Sequence, residues 1–325
     1  MKQLIAAILV AALGWAGYWG WQAHSLNSAT EAWFDARRAD GWEASHDSYA
    51  LRGFPSRLDQ TFAGLTLADP ETGMVWQAAL VEILRLSYKP NHLILAFGDN
   101  QSLTASGQTW DIGSDGLRAS VVTGAADALV RVNAEAEVLN IASSRGKAVA
   151  LAGLTAAFLK QDGSEYRLAV QATGLATEGA PVSGAALPDS FNGLRADMVI
   201  GFDRSWTTGT VTGPRPQPRH IALRLAEYRY GELQLKLAGD LTVDSRGLLD
   251  GSLTLKAENW REILRAAVEQ GYLPQGLGDA LEQGLGLAAQ LNGNPRTLDL
   301  PLNFAGGRVS LGPIPLGMAP RIILP

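Results

Sequence analysis

The chain has 325 residues, with 27 Lys and Arg against 32 Asp and Glu and a formal net charge of -5. That balance offers no basic surface to nucleic acid, and 46% hydrophobic with only 18% charged residues excludes disorder over the whole chain. The absence of cysteine excludes disulfides, thiolate metal sites, iron–sulfur clusters and cysteine nucleophiles.

From Leu4 to Trp21 the sequence reads LIAAILVAALGWAGYWGW, uncharged throughout and preceded by Lys2. At about 1.5 Å per residue a helix of this length nearly spans a hydrocarbon core of about 30 Å. A secretory signal cut near Asn27-Ser28-Ala29 is the competing reading. The anchor is favoured because Trp15, Tyr18, Trp19 and Trp21 follow the aliphatic part as interfacial aromatics do, whereas a signal peptide turns to small residues there. The positive N-terminal flank keeps the short tail cytoplasmic. The layout expected is an uncleaved transmembrane anchor over 1–22, a juxtamembrane helix over 23–41 and a periplasmic β-rich domain over 42–325, single-pass in a bacterial inner membrane.

Ser28-Ala29-Thr30-Glu31 has capping-box spacing and Gly41 suits a C-cap, so residues 28–40 read as a helix that continues the anchor. Gly53-Phe54-Pro55 is a fixed turn before the alternating RLDQTF. The segments VEILRLSYKP, NHLILAFGDN, QSLTASGQTW, LRASVVTG, ALVRVNAEAEVLN, KAVALAGLTAAFL and EYRLAVQATGL then follow at even spacing, each bounded by Gly, Asp or Asn. This spacing predicts an antiparallel meander. Pro-rich GPRPQPRH at 213–220 reads as a loop, with a sub-boundary near 205–220.

Beyond it, Glu232 to Trp260 reads as a long hairpin turning at Asp244-Ser245-Arg246-Gly247. Leu233, Leu235, Leu237, Leu241 and Val243 fall on one face, and Leu253 and Leu255 answer on the next strand. Asn259 to Glu262 is a second capping box, opening a helix that stops at Gly271, and another helix is expected over Gly278 to Ala289. The tail returns to strands, with Pro301, Pro313, Pro315 and Pro320 confining them to edges or to a C-terminal hook. The fold class is mainly β (α+β): an N-terminal transmembrane helix, then a long curved antiparallel sheet, or a β-sandwich or groove, with a few covering helices.

No nucleophile elbow, metalloprotease helix, EF-hand loop or dinucleotide fingerprint occurs. Ser144-Arg145-Gly146-Lys147 resembles the end of a phosphate loop, but Ile141 stands where Gly is needed and no Ser or Thr follows the Lys, so it reads as a turn. His46-Asp47 has the composition of a base and its orienting acid, yet neighbours on a strand face opposite ways. His24, His92 and His220 have no spacing that would bring two together on a metal. Asp69-Pro70-Glu71 and Asp111 read as turn formers. Trp33, Trp42, Trp76, Trp110, Trp206 and Trp260 read as core packing, with a lipid or sugar site as the alternative use of such rings. No catalytic, cofactor-binding or metal-ligating residue is expected.

The anchor, the Gly53-Phe54-Pro55-Ser56-Arg57 segment before RLDQTF, the patterns Trp76-Gln77-Ala78 and Tyr88-Lys89-Pro90, and the ending GGRVSLGPIPLG from Gly306 to Gly317 together resemble domain-of-unknown-function family 2125 of alphaproteobacterial envelope proteins. Its motifs are turn-and-strand signatures and imply no chemistry. The carboxyl-terminal third is also similar to AsmA-like and TamB-like envelope proteins, a likeness that implies a curved sheet with an apolar interior and a part in lipid handling.

Two functions fit these readings. One is a non-enzymatic, AsmA-like, inner-membrane-anchored periplasmic protein that binds or passes a phospholipid or other acyl ligand in an apolar sheet concavity, with Leu233, Leu235, Leu237, Leu253 and Leu255 as candidate groove residues. The other is a structural or assembly factor of the cell envelope whose closed β core displays surfaces to other envelope proteins. An open apolar groove separates the first from the second.

Overall fold

The computed structural model describes the chain except residues 106, 147, 178–192, 211–213, 231, 270–273, 292–294, 313 and 325. The protein is mainly β, with 57% of residues in strands, a large antiparallel sheet and few helices. Two compact units are distinguished: Met1–Thr123 with Asn133–Ala150, and Gly124–Val132 with Leu151–Pro325. The sub-boundary read near 205–220 thus falls inside the second unit, and 211–213 lie outside the described residues.

The first unit opens with α1 (Lys2–Ala39), one uninterrupted helix of 38 residues. Its spacer Ser28-Ala29-Thr30-Glu31 is therefore mid-helix and not an N-terminus. Thr30 donates back to the Leu26 carbonyl at 2.8 Å, the local bond by which a mid-helix Thr replaces a cap. Gly41, at φ +86°, ends the helix, its N–H bonding to the Arg38 carbonyl. By length and composition α1 is able to cross a membrane, and Leu4, Ile8 and Leu13 on its first half are more than half exposed.

Strands β1 (Glu43–Ser45), β2 (Ser48–Arg52), β3 (Asp59–Asp69), β4 (Met74–Leu86), β5 (Lys89–Phe97), β6 (Asn100–Ala105), β7 (Gln108–Asp115), β8 (Arg118–Thr123) and β9 (Leu129–Ser143) follow. β3 pairs with β1 and β2 along one edge and with β4 along the other. β4 is long enough to take two partners on its far edge. Its second half pairs with β5, which leads to β8; its first half pairs with β6, which leads to β7 and then β9. The fork sits where Gly98 N–H bonds to the Leu80 carbonyl. Within β3, Gly64 has a φ of +60° and its missing Cβ would lie 2.1 Å from Asp47 Oδ2, so only glycine fits. The β3–β4 register runs past it without a shift, so Gln60, Phe62, Leu65 and Leu67 stand opposite Ile83, Val81, Ala78 and Trp76 of β4, and Phe62, Leu65, Ala78 and Val81 are buried in one cluster.

The second unit is a meander from β10 (Ala148–Lys160) through β11 (Glu165–Ala172) to β13 (Gly193–Phe202), with the short β12 (Gly174–Thr177) between the latter two in sequence. It continues through β14 (Pro218–Tyr230), β15 (Leu233–Val243), β16 (Leu249–Glu258), β17 (Thr297–Ala305), β18 (Arg308–Leu311) and β19 (Ile314–Met318), all antiparallel neighbours. The Asp244 turn is as read from sequence: its carboxylate accepts the N–H groups of Arg246 and Leu248. Between β16 and β17 lie α2 (Trp260–Glu269) and α3 (Gln275–Leu291), whereas Gly271, the expected stop, lies outside the described residues, as do Lys147 and Pro313. Pro301 stands at the end of the β17–β18 ladder, where its carbonyl accepts Gly312 N–H and its own missing donor is not needed.

Candidate functional site

The sequence put its apolar groove on β15 and β16, and the register does place Leu235, Leu237, Leu253 and Leu255 on one face. That face is occupied. Leu235 and Leu255 pack against a cluster built on Trp260, Leu281, Leu285, Ala289 and Leu298, so α2 and α3 lie over one end. Leu253 is buried with Leu241, Phe304 and Ala319, Leu237 packs on the same cluster, and Ile322 of the C-terminal tail adds to it. Leu233 is half-buried at the start of β15. These leucines are brought together as a packed core with its own cover.

An unfilled apolar space lies instead in the first unit, under α1. The helix residues Leu26, Ala29, Thr30, Trp33 and Phe34 recur at the three- and four-residue spacing of one helix face. They enclose, with β3, β4 and β5, a cavity of about 420 Å³. Its floor is the sheet, where Phe62, Leu65, Trp76, Val81, Leu95 and Phe97 line it. Phe34, Phe62, Leu65, Ala78 and Val81 are buried together and fix the distance between helix and sheet. Trp33, on the rim, is 38% exposed, and Trp76 is held in place by donating from Nε1 to Gln101 Oε1 at 3.2 Å.

The polar groups are few and fall at one end. Gln60, 3% exposed, donates from Nε2 to Thr30 Oγ1 at 2.8 Å and to Tyr49 Oη at 3.3 Å, and Tyr49 donates to Asn27 Oδ1 at 2.8 Å. Gln60 Oε1 accepts from Arg85 Nη2 at 3.0 Å. Arg85 occupies an inward position in the alternation Val81, Ile83, Arg85, opposite Leu93 of β5. Burial pulls its pKa below the ordinary arginine value, while the neighbouring Tyr49 works the other way. Its Nε–H is buried without a hydrogen-bond partner.

The remaining sequence candidates are dispersed. His46 packs its ring against Phe34 at 5.0 Å and Phe62 at 5.8 Å, while Asp47 reaches Gly64, so the two form no acid–base pair. His92 meets Ser120 at 2.9 Å and His220 lies 3.6 Å from Asp240. Among the described residues no group of three or more His, Asp or Glu could hold a metal. Ser144-Arg145-Gly146 is a turn, with Gly146 N–H on the Ser143 carbonyl. Asp69 is a turn former, accepting from Glu71 N–H and Thr72 Oγ1. Asp111 is not, since it pairs with Ser102 and Ala142 inside β7. Trp260 is core, 3% exposed, and Trp206 packs edge-on to Phe202 and Phe158 in the second unit, but Trp33 and Trp76 line the cavity. The helix-face spacing from Leu26 to Phe34 was the signal available in sequence for this site.

A family model described as an uncharacterized protein conserved in bacteria (DUF2125) matches residues 19–320. No curated protein and no solved structure matches the chain, so the AsmA-like and TamB-like likeness is not confirmed.

Proposed function

The chain belongs to the DUF2125 family, and from that premise we propose that it is a non-enzymatic, inner-membrane-anchored periplasmic protein that takes up an acyl chain in the cavity beneath its juxtamembrane helix. One observation carries the reading: the apolar cavity is walled by the same helix that is apolar enough to cross a membrane. Leu26, its first helical wall residue, lies five residues beyond Trp21, or about 8 Å along the axis. A chain leaving the outer half of the bilayer therefore has a short path into it. The volume of about 420 Å³ falls in the range of about 300–1,000 Å³ typical of small-molecule sites, and its lining of aromatic and aliphatic side chains with a few convergent polar groups is also typical.

Lys2 and the terminal amine at the aliphatic end support a cytoplasmic N-terminus. Lys2 flanks the aliphatic end, while the other end carries the whole folded domain. The test is native mass spectrometry of the full chain released from detergent micelles after purification from bacterial membranes. Acyl lipid retained at one per chain, and lost in an Ala29→Trp variant that fills the space from the helix side, supports the proposal. A lipid-free chain that also fails to take up added lipid overturns it and leaves a protein-binding role in the envelope.

A further inference from the structure

We propose that the cavity selects a single-chain acyl anion, a long-chain carboxylate whose head is held by Arg85 while its tail lies along Val81, Phe62 and Trp76. This rests on the acyl-chain reading of the cavity and adds the identity of the head.

Arg85 is the observation that apolar packing leaves unexplained. It takes an inward position on a strand face otherwise aliphatic and aromatic. No carboxylate lies within ion-pairing distance of it among the described residues. Other arginines set into sheet faces are matched: Arg167 with Asp197 at 2.8 Å, and Arg195 and Arg229 with Glu227 at 2.8 and 2.7 Å. A guanidinium withdrawn from water costs free energy unless an anion meets it. Here a single amide oxygen, that of Gln60, meets one of its nitrogens, and the Nε–H is orphaned. An arginine fork with free, parallel donors fits a carboxylate in bidentate fashion.

Position narrows the ligand further. Gln22 of α1 donates to the Ser87 carbonyl at 3.1 Å and Thr30 accepts from Gln60, so Arg85 stands between these levels, at the membrane-proximal end of the cavity. Trp76 and Leu67 stand at the distal end, paired in the ladder. A carboxylate on Arg85 keeps its head near the headgroup layer while its tail swings out of the bilayer into the protein. A cavity of about 420 Å³, near the lower end of the range for small-molecule sites, suits one chain and not the two of a phospholipid.

The test titrates the full chain, held in nanodiscs of an uncharged lipid, with cis-parinaric acid and separately with its methyl ester, following the fluorescence of the polyene. The acid is expected to bind at least about tenfold more tightly than the ester. Arg85→Met should bring the acid down to the affinity of the ester and leave the ester unchanged, and Arg85→Lys should retain part of the preference. Oleate should displace the bound acid, whereas phosphatidylglycerol added to the discs should not. Equal binding of acid and ester by the unaltered protein overturns the proposal without any variant being needed, and leaves the acyl-chain reading standing. Displacement by phosphatidylglycerol as effective as that by oleate overturns the single-chain assignment. Failure of both acid and ester to bind overturns the acyl-chain reading itself.

Discussion

Arg85 Nη2 and Gln60 Oε1 are 3.0 Å apart, so the cation on the inner face of β4 is answered by a neutral amide from β3. Gln60 also joins Thr30 of α1 to Tyr49 of β2, and a buried side chain with three partners is costly to delete because each partner loses its bond without regaining water. Gln60→Met, close in volume, should destabilise the first unit by about 1–3 kcal/mol. Urea titration of the full chain in detergent, followed by near-ultraviolet circular dichroism, checks this.

Phe34 and Trp33 are neighbours on α1 with opposite assignments. Phe34 is 4% exposed in the cluster with Phe62 and Val81, so Phe34→Ala should cost about 3–5 kcal/mol and loosen the helix from the sheet. Trypsin would report this at Arg37 and Arg38. Trp33 sits on the cavity rim, and Trp33→Ala should leave the urea midpoint within about 1 kcal/mol of the parent while weakening acyl-chain uptake severalfold. Equal effects of the two substitutions on both readouts would contradict the assignment.

The leucines of the β15–β16 hairpin test the opposite case. Gly239, at φ +145°, lets the strands close so tightly that a Cβ there would meet Ser252 O at 2.4 Å, and Leu253 is buried beside it. Leu253→Ala should therefore cost about 2–5 kcal/mol, seen in thermal unfolding, with no change in acyl-chain affinity. A selective loss of ligand with stability preserved would return the site to this hairpin.

The strands from β3 to β11 and from β15 onward were legible in the sequence, because alternation and the Gly, Asp and Asn turns are local, whereas β1, β2, β13 and β14 were not, and Pro218 to His220, read as loop, open β14. The same holds for both C-terminal helices and the turn at Asp244. What covers a strand face is not local. Leu235 and Leu255 read as a groove because nothing in their own segments announces α3, and Ile322, which closes the face near Leu253, is remote in sequence. The cavity was hidden for the converse reason. Its walls come from α1 and from β3 to β5, and Trp33 and Trp76 read as core although, among the tryptophans, it is Trp260 that is buried. Arg85 was visible as a charge in VEILRLSYKP but was indistinguishable there from an outward-facing one until the register with Leu93 set its side.

The turn that follows β2 makes the depth of the domain measurable. Trp15 Nε1 donates to the Pro55 carbonyl and Trp19 Nε1 to the Arg57 carbonyl, both at 2.8 Å, and the Trp19 ring meets Phe54 edge-on at 5.4 Å. Phe54 is 59% exposed and Tyr88 56%. If α1 spans the bilayer with Trp15 and Trp19 in its interfacial layer, these two side chains enter that layer as well. Because the chain lacks cysteine, Phe54→Cys provides a single thiol for a polarity-sensitive probe. Its emission in nanodiscs should shift to the blue and be quenched by brominated lipid, while a probe at Thr72→Cys, in the exposed β3–β4 turn, should do neither. Identical, water-like emission at both would remove the membrane contact of the Gly53–Arg57 turn.

Glu227 sets the acid limit of the second unit. Its side chain is 3% exposed on β14, where Arg195, Arg229 and Lys236 approach it at 2.8, 2.7 and 3.8 Å and Gln234 donates to it at 2.6 Å. Burial alone would raise its pKa, but the bond from Arg229 and the three cations together outweigh that and hold it below the ordinary glutamate value. A carboxyl whose folded pKa is depressed stabilises the fold at every pH above its unfolded value of about 4.3, and this contribution disappears as pH falls through the folded value. Asp197, lowered by its bond with Arg167, acts in the same direction on the adjacent β13. Glu227→Gln should therefore destabilise the protein at pH 7 by about 1–3 kcal/mol, the range for a hydrogen-bonded charged group. It should also flatten the fall in stability below about pH 4.3, because the neutral amide has no proton to take up. Thermal unfolding of parent and variant between pH 7 and pH 3 measures both. Parallel curves, offset by a constant amount, would show that Glu227 does not carry the acid response.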